Sequence, residues 1–164
     1  MRPMAARPAP DTAFLERLES ASRGPEFEDV ALALTLEHFR ADSGTIHRLL
    51  EGRLRLRAHS AGLPDSVLAL IREIPVGKGM AGLAVERKAP VTACNLQTDG
   101  SGDVRPGARA TGLQGSIVVP ILRGESAIGA LGIANRGERT FSEQEVALLL
   151  EAARLIGDRG RDPA

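Results

Sequence analysis

The spacing of apolar residues switches repeatedly between a helical period and a strand period. Asp11 is placed to cap a short helix that carries Phe14, Leu15 and Leu18 on one face. After the Gly24-Pro25 break, Phe27, Val30, Ala31 and Leu34 recur at helical spacing up to about Arg40, and Leu32, Leu36 and Phe39 make a second apolar strip. Residues 43–61 change to a strand–turn–strand pattern around Glu51-Gly52, in which Leu54, Leu56 and Ala58 alternate with Arg53, Arg55 and Arg57. That alternation predicts one buried and one wet face. The arginine stripe reads as a solvated face, with phosphate binding as the alternative.

Residues 65–73 follow a Gly-Leu-Pro turn and have helical character. A short helix is expected over 79–87, a strand over 90–94, and a long loop over 95–115. Strands over 116–122 and 127–135 are joined by a turn at 123–126, and Pro120 predicts an edge or a bulge because it has no N–H for the ladder. Ser142 and Glu145 form a capping box, with Phe141 and Val146 as a hydrophobic staple. The last helix then carries Val146, Leu149, Leu150 and Ala153 on one face and Leu148, Ala152 and Leu155 on another. Hairpin-linked strands with helices at both ends predict an α+β fold around an antiparallel sheet.

Composition narrows the function. Lys+Arg and Asp+Glu are equal at 21 each, which argues against a nucleic-acid surface. Trp and Tyr are absent, so aromatic stacking platforms and cation cages are disfavoured. No apolar run reaches the roughly 20 residues that a spanning helix needs, and the first ten residues lack the apolar stretch of a signal peptide. The single cysteine, Cys94, leaves no intrachain disulfide, and the expected location is cytoplasmic. The expected organisation is a disordered arm over 1–10, one domain over 11–157 and a flexible tail over 158–164.

Gly77, Gly79 and Gly82 spell G-x-G-x-x-G within I-P-V-G-K-G-M-A-G-L-A-V. A dinucleotide fingerprint needs a central parallel strand before the glycines, and Ile74-Pro75-Val76 is too short and proline-broken to supply one. A phosphate-binding Walker loop needs Gly-Lys-Ser/Thr, and Lys78 is followed by Gly79. The segment, continued as E-R-K-A-P-V-T-A-C-N-L, instead resembles the middle signature of the GAF domain family. G-S-I-V-V-P-I-L-R-G-E-S-A-I-G-A-L-G-I-A-N-R resembles that family's paired late strands. F-E-D-V-A-L-A-L-T-L and F-S-E-Q-E-V-A-L-L-L are similar to its opening and closing helices, so the resemblance covers about residues 26–157. It implies a central antiparallel sheet with terminal helices on one face and a pocket on the other, covered by a helix and the 95–115 loop.

The resemblance also raises an enzymatic branch, the free methionine-(R)-sulfoxide reductases. These place cysteines in the glycine turn and the long loop, and carboxylates on the late strand. Here the turn carries Met80 and Ala81, the loop from Asn95 to Gln114 has no cysteine, and the strand reads Leu131-Gly132-Ile133-Ala134-Asn135. On that ground the expectation is a protein that is not an enzyme. His38, His47 and His59 show no metal-ligand spacing, and no cofactor is implied. The candidate ligand-binding residues are Cys94, Asp99, Arg105, Arg109 and Gln114, with His47 added if the hairpin register places it on the face of Leu54 and Leu56. The expected function is a small-molecule sensor or regulatory domain, acting as a homodimer through its opening and closing helices or through a signalling partner. The alternative is a ligand-free interaction module whose pocket is filled by Leu63, Leu83, Leu113 or Ile117.

Overall fold

A computed structural model describes residues 10–21, 23–104, 106–109 and 111–159. The arm expected over 1–10 lies outside the described residues except for Pro10. The elements run α1 (Pro10–Ala21), α2 (Phe27–Phe39), β1 (Ser43–Leu50), β2 (Arg53–His59), α3 (Asp65–Ile71), β3 (Glu73–Pro75), α4 (Gly79–Arg87), β4 (Val91–Ala93), α5 (Pro106–Arg109), β5 (Ser116–Arg123), β6 (Ser126–Ala134) and α6 (Glu143–Arg159). The tail expected over 158–164 overlaps α6 at Asp158 and Arg159, and 160–164 lie outside the described residues.

Six strands form one antiparallel sheet in the order β3-β2-β1-β6-β5-β4. The α+β expectation holds. Each face of the sheet carries its own core. On one side α2 and α6 pack over Ile46, Ala58, Ile117, Val119, Leu131 and Ile133, and α1 packs against α2 and α6. On the other side Leu54, Ile74, Met80, Val85, Leu96, Leu113 and Val118 form a second cluster beneath α4 and the loop after β4.

The β1–β2 hairpin turns at Glu51-Gly52, both at positive φ, as a two-residue turn between twisted strands requires. Leu50 pairs with Arg53, Leu49 with Leu54 and His47 with Leu56. The register then slips, so that Ile46 pairs with Ala58. This bulge corrects the sequence pattern: Leu54 stays in the second cluster, while Ala58 joins the helix-side core. Pro120 sits where the outer side of β5 has no strand partner, because the pairing with β4 ends at Val118. The ladder shifts immediately afterwards, between Ile121 and Leu122.

The capping box forms as the sequence predicts. Ser142 Oγ accepts from the Glu145 N–H at 3.1 Å, and Glu145 Oε1 accepts from the Ser142 N–H at 3.0 Å. Arg139 strengthens this corner. Its guanidinium donates to the Phe39 carbonyl at 2.7 Å, to Asn135 Oδ1 at 2.9 Å and to Glu145 Oε2 at 2.7 Å, and it lies over the Phe141 ring. The Ser142 N–H and the Arg139 charge hold the Glu145 carboxyl below its usual range.

Helix α1 covers surface that the apolar strips left open. Phe14 and Leu18 are buried against α2 and α6, and Leu155 is itself buried. Much of the second apolar strip on the closing helix is therefore satisfied within the chain. No helix among the described residues is long and apolar enough to cross a membrane.

Candidate functional site

The glycine segment shapes the site by geometry. Gly77 (φ +85°) and Gly79 (φ +65°) occupy left-handed backbone that side chains disfavour, and a Cβ on Gly82 would lie 2.5 Å from the Pro75 carbonyl oxygen. The Gly77 N–H closes the turn by donating to the Gly82 carbonyl at 2.9 Å. The chain thus passes from the edge strand β3 directly into α4. The first residues of α4 are delivered to the sheet face opposite the terminal helices.

A cavity of about 260 Å³ lies there. Its floor is the sheet, with Thr45 and His47 from β1, Ser116 and Val118 from β5, and Gly132 from β6. Its walls are α3 through Val67 and Ile71, the start of α4 through Gly79, Met80 and Ala81, and the loop through Leu96, Thr111 and Leu113. The absence of a side chain at Gly132 leaves room in the floor, since a Cβ there would meet Val118 Cγ2 at 3.2 Å and Thr45 Oγ1 at 3.4 Å. Leu63 and Leu113 line the cavity without closing it, while Ile117 faces the helix-side core.

Among the described residues the lining is mostly apolar and contains no Asp or Glu. The only formal charge among them is Lys78, whose ammonium has no hydrogen bond or ion pair among the described residues. Lys78 is also the N-cap of α4 and provides no side-chain cap, so the unbonded N–H groups of the first turn share that end of the cavity. Most hydroxyls are already committed. Ser43 Oγ pairs with Ser60 Oγ at 2.9 Å, Ser116 Oγ donates to the Ile133 carbonyl at 3.2 Å, and Thr111 Oγ1 donates to the Ala108 carbonyl at 2.7 Å.

His47 is 2% exposed and forms part of the floor. Its Nε2 lies 2.8 Å from the Ile71 carbonyl. A carbonyl only accepts, so Nε2 carries the proton and Nδ1 is left as an acceptor in the neutral ring. Nδ1 has no hydrogen-bond partner among the described residues. Burial pushes the His47 pKa below its usual value, and the bond to Ile71 opposes that shift.

Of the other candidates from the sequence, Cys94, Asp99, Arg109 and Gln114 do not line this cavity. Cys94 is exposed at the end of β4, with Sγ 3.8 Å from Thr140 Oγ1. Asp99 closes a local turn by accepting from the Ser101 N–H and hydroxyl, and its carbonyl takes the Arg109 guanidinium at 3.3 Å. Gln114 holds its place through the backbone, donating to the Asn135 carbonyl and accepting from the Leu96 N–H, each at 2.7 Å. Arg105 lies outside the described residues. The loop is tied down by Arg87, which grips Asp103 through two bonds of 3.0 and 3.1 Å, and by Gln97 Nε2, which donates to the Arg109 and Leu113 carbonyls. Sequence reasoning missed Thr45, Lys78 and Gly132. Lys78 was visible as the one charge inside the glycine turn.

A second cavity, of about 290 Å³, opens among the helix ends at Asp11, His38, Arg40, Arg139 and Glu145. Most of these side chains pair with one another, His38 with Asp11 at 2.9 Å and Arg139 with Glu145 at 2.7 Å.

The family model of the GAF domain matches residues 26–158, and the chain belongs to the GAF domain family. Among curated proteins, none matches the sequence. Solved structures do match its fold. The GAF domain of a phosphoenolpyruvate-protein phosphotransferase from Coxiella burnetii has a TM-score of 0.76 at 20% identity, covering 91% of each chain. The free methionine-R-sulfoxide reductase of Neisseria meningitidis, solved in complex with its substrate, has a TM-score of 0.74 at 19% identity, covering 97% of this chain and 95% of the other. The reduced form of the Staphylococcus aureus reductase has a TM-score of 0.73 at 19% identity, covering 95% of this chain and 99% of the other.

These reductases correct the expectation that the chain is not an enzyme. They share its fold over nearly their whole length, about as closely as the phosphotransferase GAF domain does. Missing cysteines at the anticipated positions are therefore no ground for excluding catalysis.

Proposed function

We propose that this GAF domain binds a small molecule with an apolar body in the cavity between the sheet, α3 and α4. The observation that carries this reading is a cavity of about 260 Å³ left open beside Gly132, where a filled core was the alternative. An anionic end of the ligand suits Lys78 and the uncapped start of α4. In this reading the domain is cytoplasmic and regulatory, and its signal leaves through α1, α2 and α6 to a second copy or a signalling partner.

Native mass spectrometry of the purified protein, followed by denaturation of the same sample, tests the proposal. A bound small mass is expected that is lost on denaturation. Gly132→Val, which extends a side chain into the floor, should carry none. A clean apo mass together with no thermal shift from a metabolite panel would overturn ligand binding.

A second reading is turnover in the same cavity, favoured by the reductase structures that match the fold. Incubation with free methionine-R-sulfoxide and excess dithiothreitol distinguishes the two. Methionine formed well above the rate of Gly132→Val establishes the enzyme, and equal background rates leave binding alone.

A further inference from the structure

Strands β1, β6 and β5 bring Thr45, Gly132 and Val118 side by side across the cavity floor, since Thr45 pairs with Gly132 and Gly132 with Val118. The middle position has no side chain. A Cβ on Gly132 would lie 3.4 Å from Thr45 Oγ1 and 3.2 Å from Val118 Cγ2. The space above the glycine is therefore a notch with a hydroxyl on one side and a methyl on the other. Thr45 is half-buried on a strand flanked by β2 and β6, and the surface it keeps lines the cavity. The buried side-chain nitrogens and oxygens left without a partner among the described residues are His47 Nδ1 and Arg123 Nε. Thr45 Oγ1 also has no hydrogen bond among the described residues, yet it is not one of these, so the oxygen retains accessible surface.

The other polar side chains of the lining are occupied or out of reach. Ser116 Oγ donates to the Ile133 carbonyl, and Thr111 Oγ1 donates to the Ala108 carbonyl while accepting from the Leu113 N–H. Ser43 Oγ shares a hydrogen bond with Ser60 Oγ. His47 Nε2 is held by the Ile71 carbonyl, and Nδ1 is too deeply buried to offer a surface. Lys78 is exposed and can be served by water. Among the described lining residues, Thr45 has the one side-chain hydroxyl with no hydrogen bond. Once a ligand displaces water from the notch, that hydroxyl proton needs an acceptor, and leaving it unmet is costly.

We propose that Thr45 is the specificity-determining residue of the cavity, donating its hydroxyl proton to a carbonyl-type acceptor oxygen on the ligand end seated over Gly132. The inference rests on the cavity reading above and names the chemistry of one end of the ligand. A ligand atom over Gly132 touches Val118 on one side and comes within hydrogen-bond reach of Thr45 Oγ1 on the other. A ligand end that only donates can use the lone pairs of Oγ1 but strands the hydroxyl proton. A hydrocarbon end strands both.

Matched probes test this. The pairs are acetophenone with α-methylstyrene and cyclohexanone with methylenecyclohexane, in which a CH2 group replaces the carbonyl oxygen and the apolar body is kept. Affinities are measured by calorimetry on the wild type, on Thr45→Val, which keeps the shape of the side chain and loses the hydroxyl, and on Thr45→Ser, which restores it. The ratio of ketone to alkene affinity is expected to fall about fivefold in Thr45→Val and to recover in Thr45→Ser, while the alkenes bind all three proteins alike. Difference infrared spectra of bound acetophenone, labelled with 13C at the carbonyl, give a second readout. The carbonyl stretch should lie below its position in cyclohexane when bound to the wild type, and return towards that position in Thr45→Val. Probes that bind with the same ratio in all three proteins overturn the role of Thr45 and leave the cavity reading intact. Failure of all four probes to bind the wild type overturns both. Should Thr45→Val not fold, the wild-type spectrum decides, and a carbonyl stretch at its cyclohexane position overturns the proposal.

Discussion

His47 Nε2 donates to the Ile71 carbonyl across 2.8 Å, joining the middle of β1 to the last turn of α3. This one bond orients the imidazole and anchors the helix that walls the cavity. Burial depresses the pKa of His47, so the folded state resists protonation more than the unfolded chain does. The sign follows directly. Above the ordinary value of 6.5 both states are neutral and the contribution is fully present. As the pH falls through that value towards the lower folded pKa, the unfolded chain takes up the proton first and stability is lost. Urea denaturation across this window should show falling stability, with a shallower fall in His47→Gln. An equal slope in the variant would show that His47 is not the group responsible.

Arg139 and Arg154 both make several short polar contacts, yet they should differ strongly on truncation. Arg139 is half-buried and joins the end of α2, the turn after β6 and the start of α6. Arg154 pairs with Glu151 and Asp158 on the exposed side of a single helix, where its side chain is 50% accessible. Arg139→Ala should cost about 2–3 kcal/mol because it strands a carbonyl and a carboxylate. Arg154→Ala should stay within about 0.5 kcal/mol. Equilibrium unfolding of the two variants checks the ranking.

Leu155 was expected on a face of the closing helix available to a partner, and it is instead packed in the helix-side core at 7% exposure. Leu155→Glu places an unpaired carboxylate among hydrocarbon. It should lower stability by about 3 kcal/mol or more rather than merely separate subunits. Circular dichroism melts combined with light scattering check this. A soluble variant with an unchanged melting temperature would contradict the packing.

Much of the frame was legible because local chemistry and tertiary structure agree there. Glu51-Gly52 can adopt the positive φ that a tight hairpin needs, and Ser142 with Glu145 writes the start of α6 in four residues. The family signature supplied the order of elements. The bulge between Ile46 and His47 was not legible, because the pattern of β2 continues unbroken through Ala58 and only the pairing with β1 shows the slip. The cavity itself was poorly legible for a different reason. Its wall combines residues as distant as Thr45, Lys78, Leu113 and Gly132, and an absent side chain at Gly132 leaves no local signal of the space it provides. Asp99 and Arg109 looked like ligand groups because they are polar in a long loop. That loop spends them on its own backbone.

Gly44 gives β1 an unusual thinness. A Cβ at that position would strike Leu36 Cδ2 and the Gly132 carbonyl at 2.8 Å each, so the strand backbone lies directly against the side chains of α2. The next residue, Thr45, faces the cavity. Between a molecule in the cavity and the helical layer there is thus, at this point, a partition one peptide thick. Pressure on one side of such a partition has no cushion of side chain in which to dissipate, and α2 is the first thing it meets.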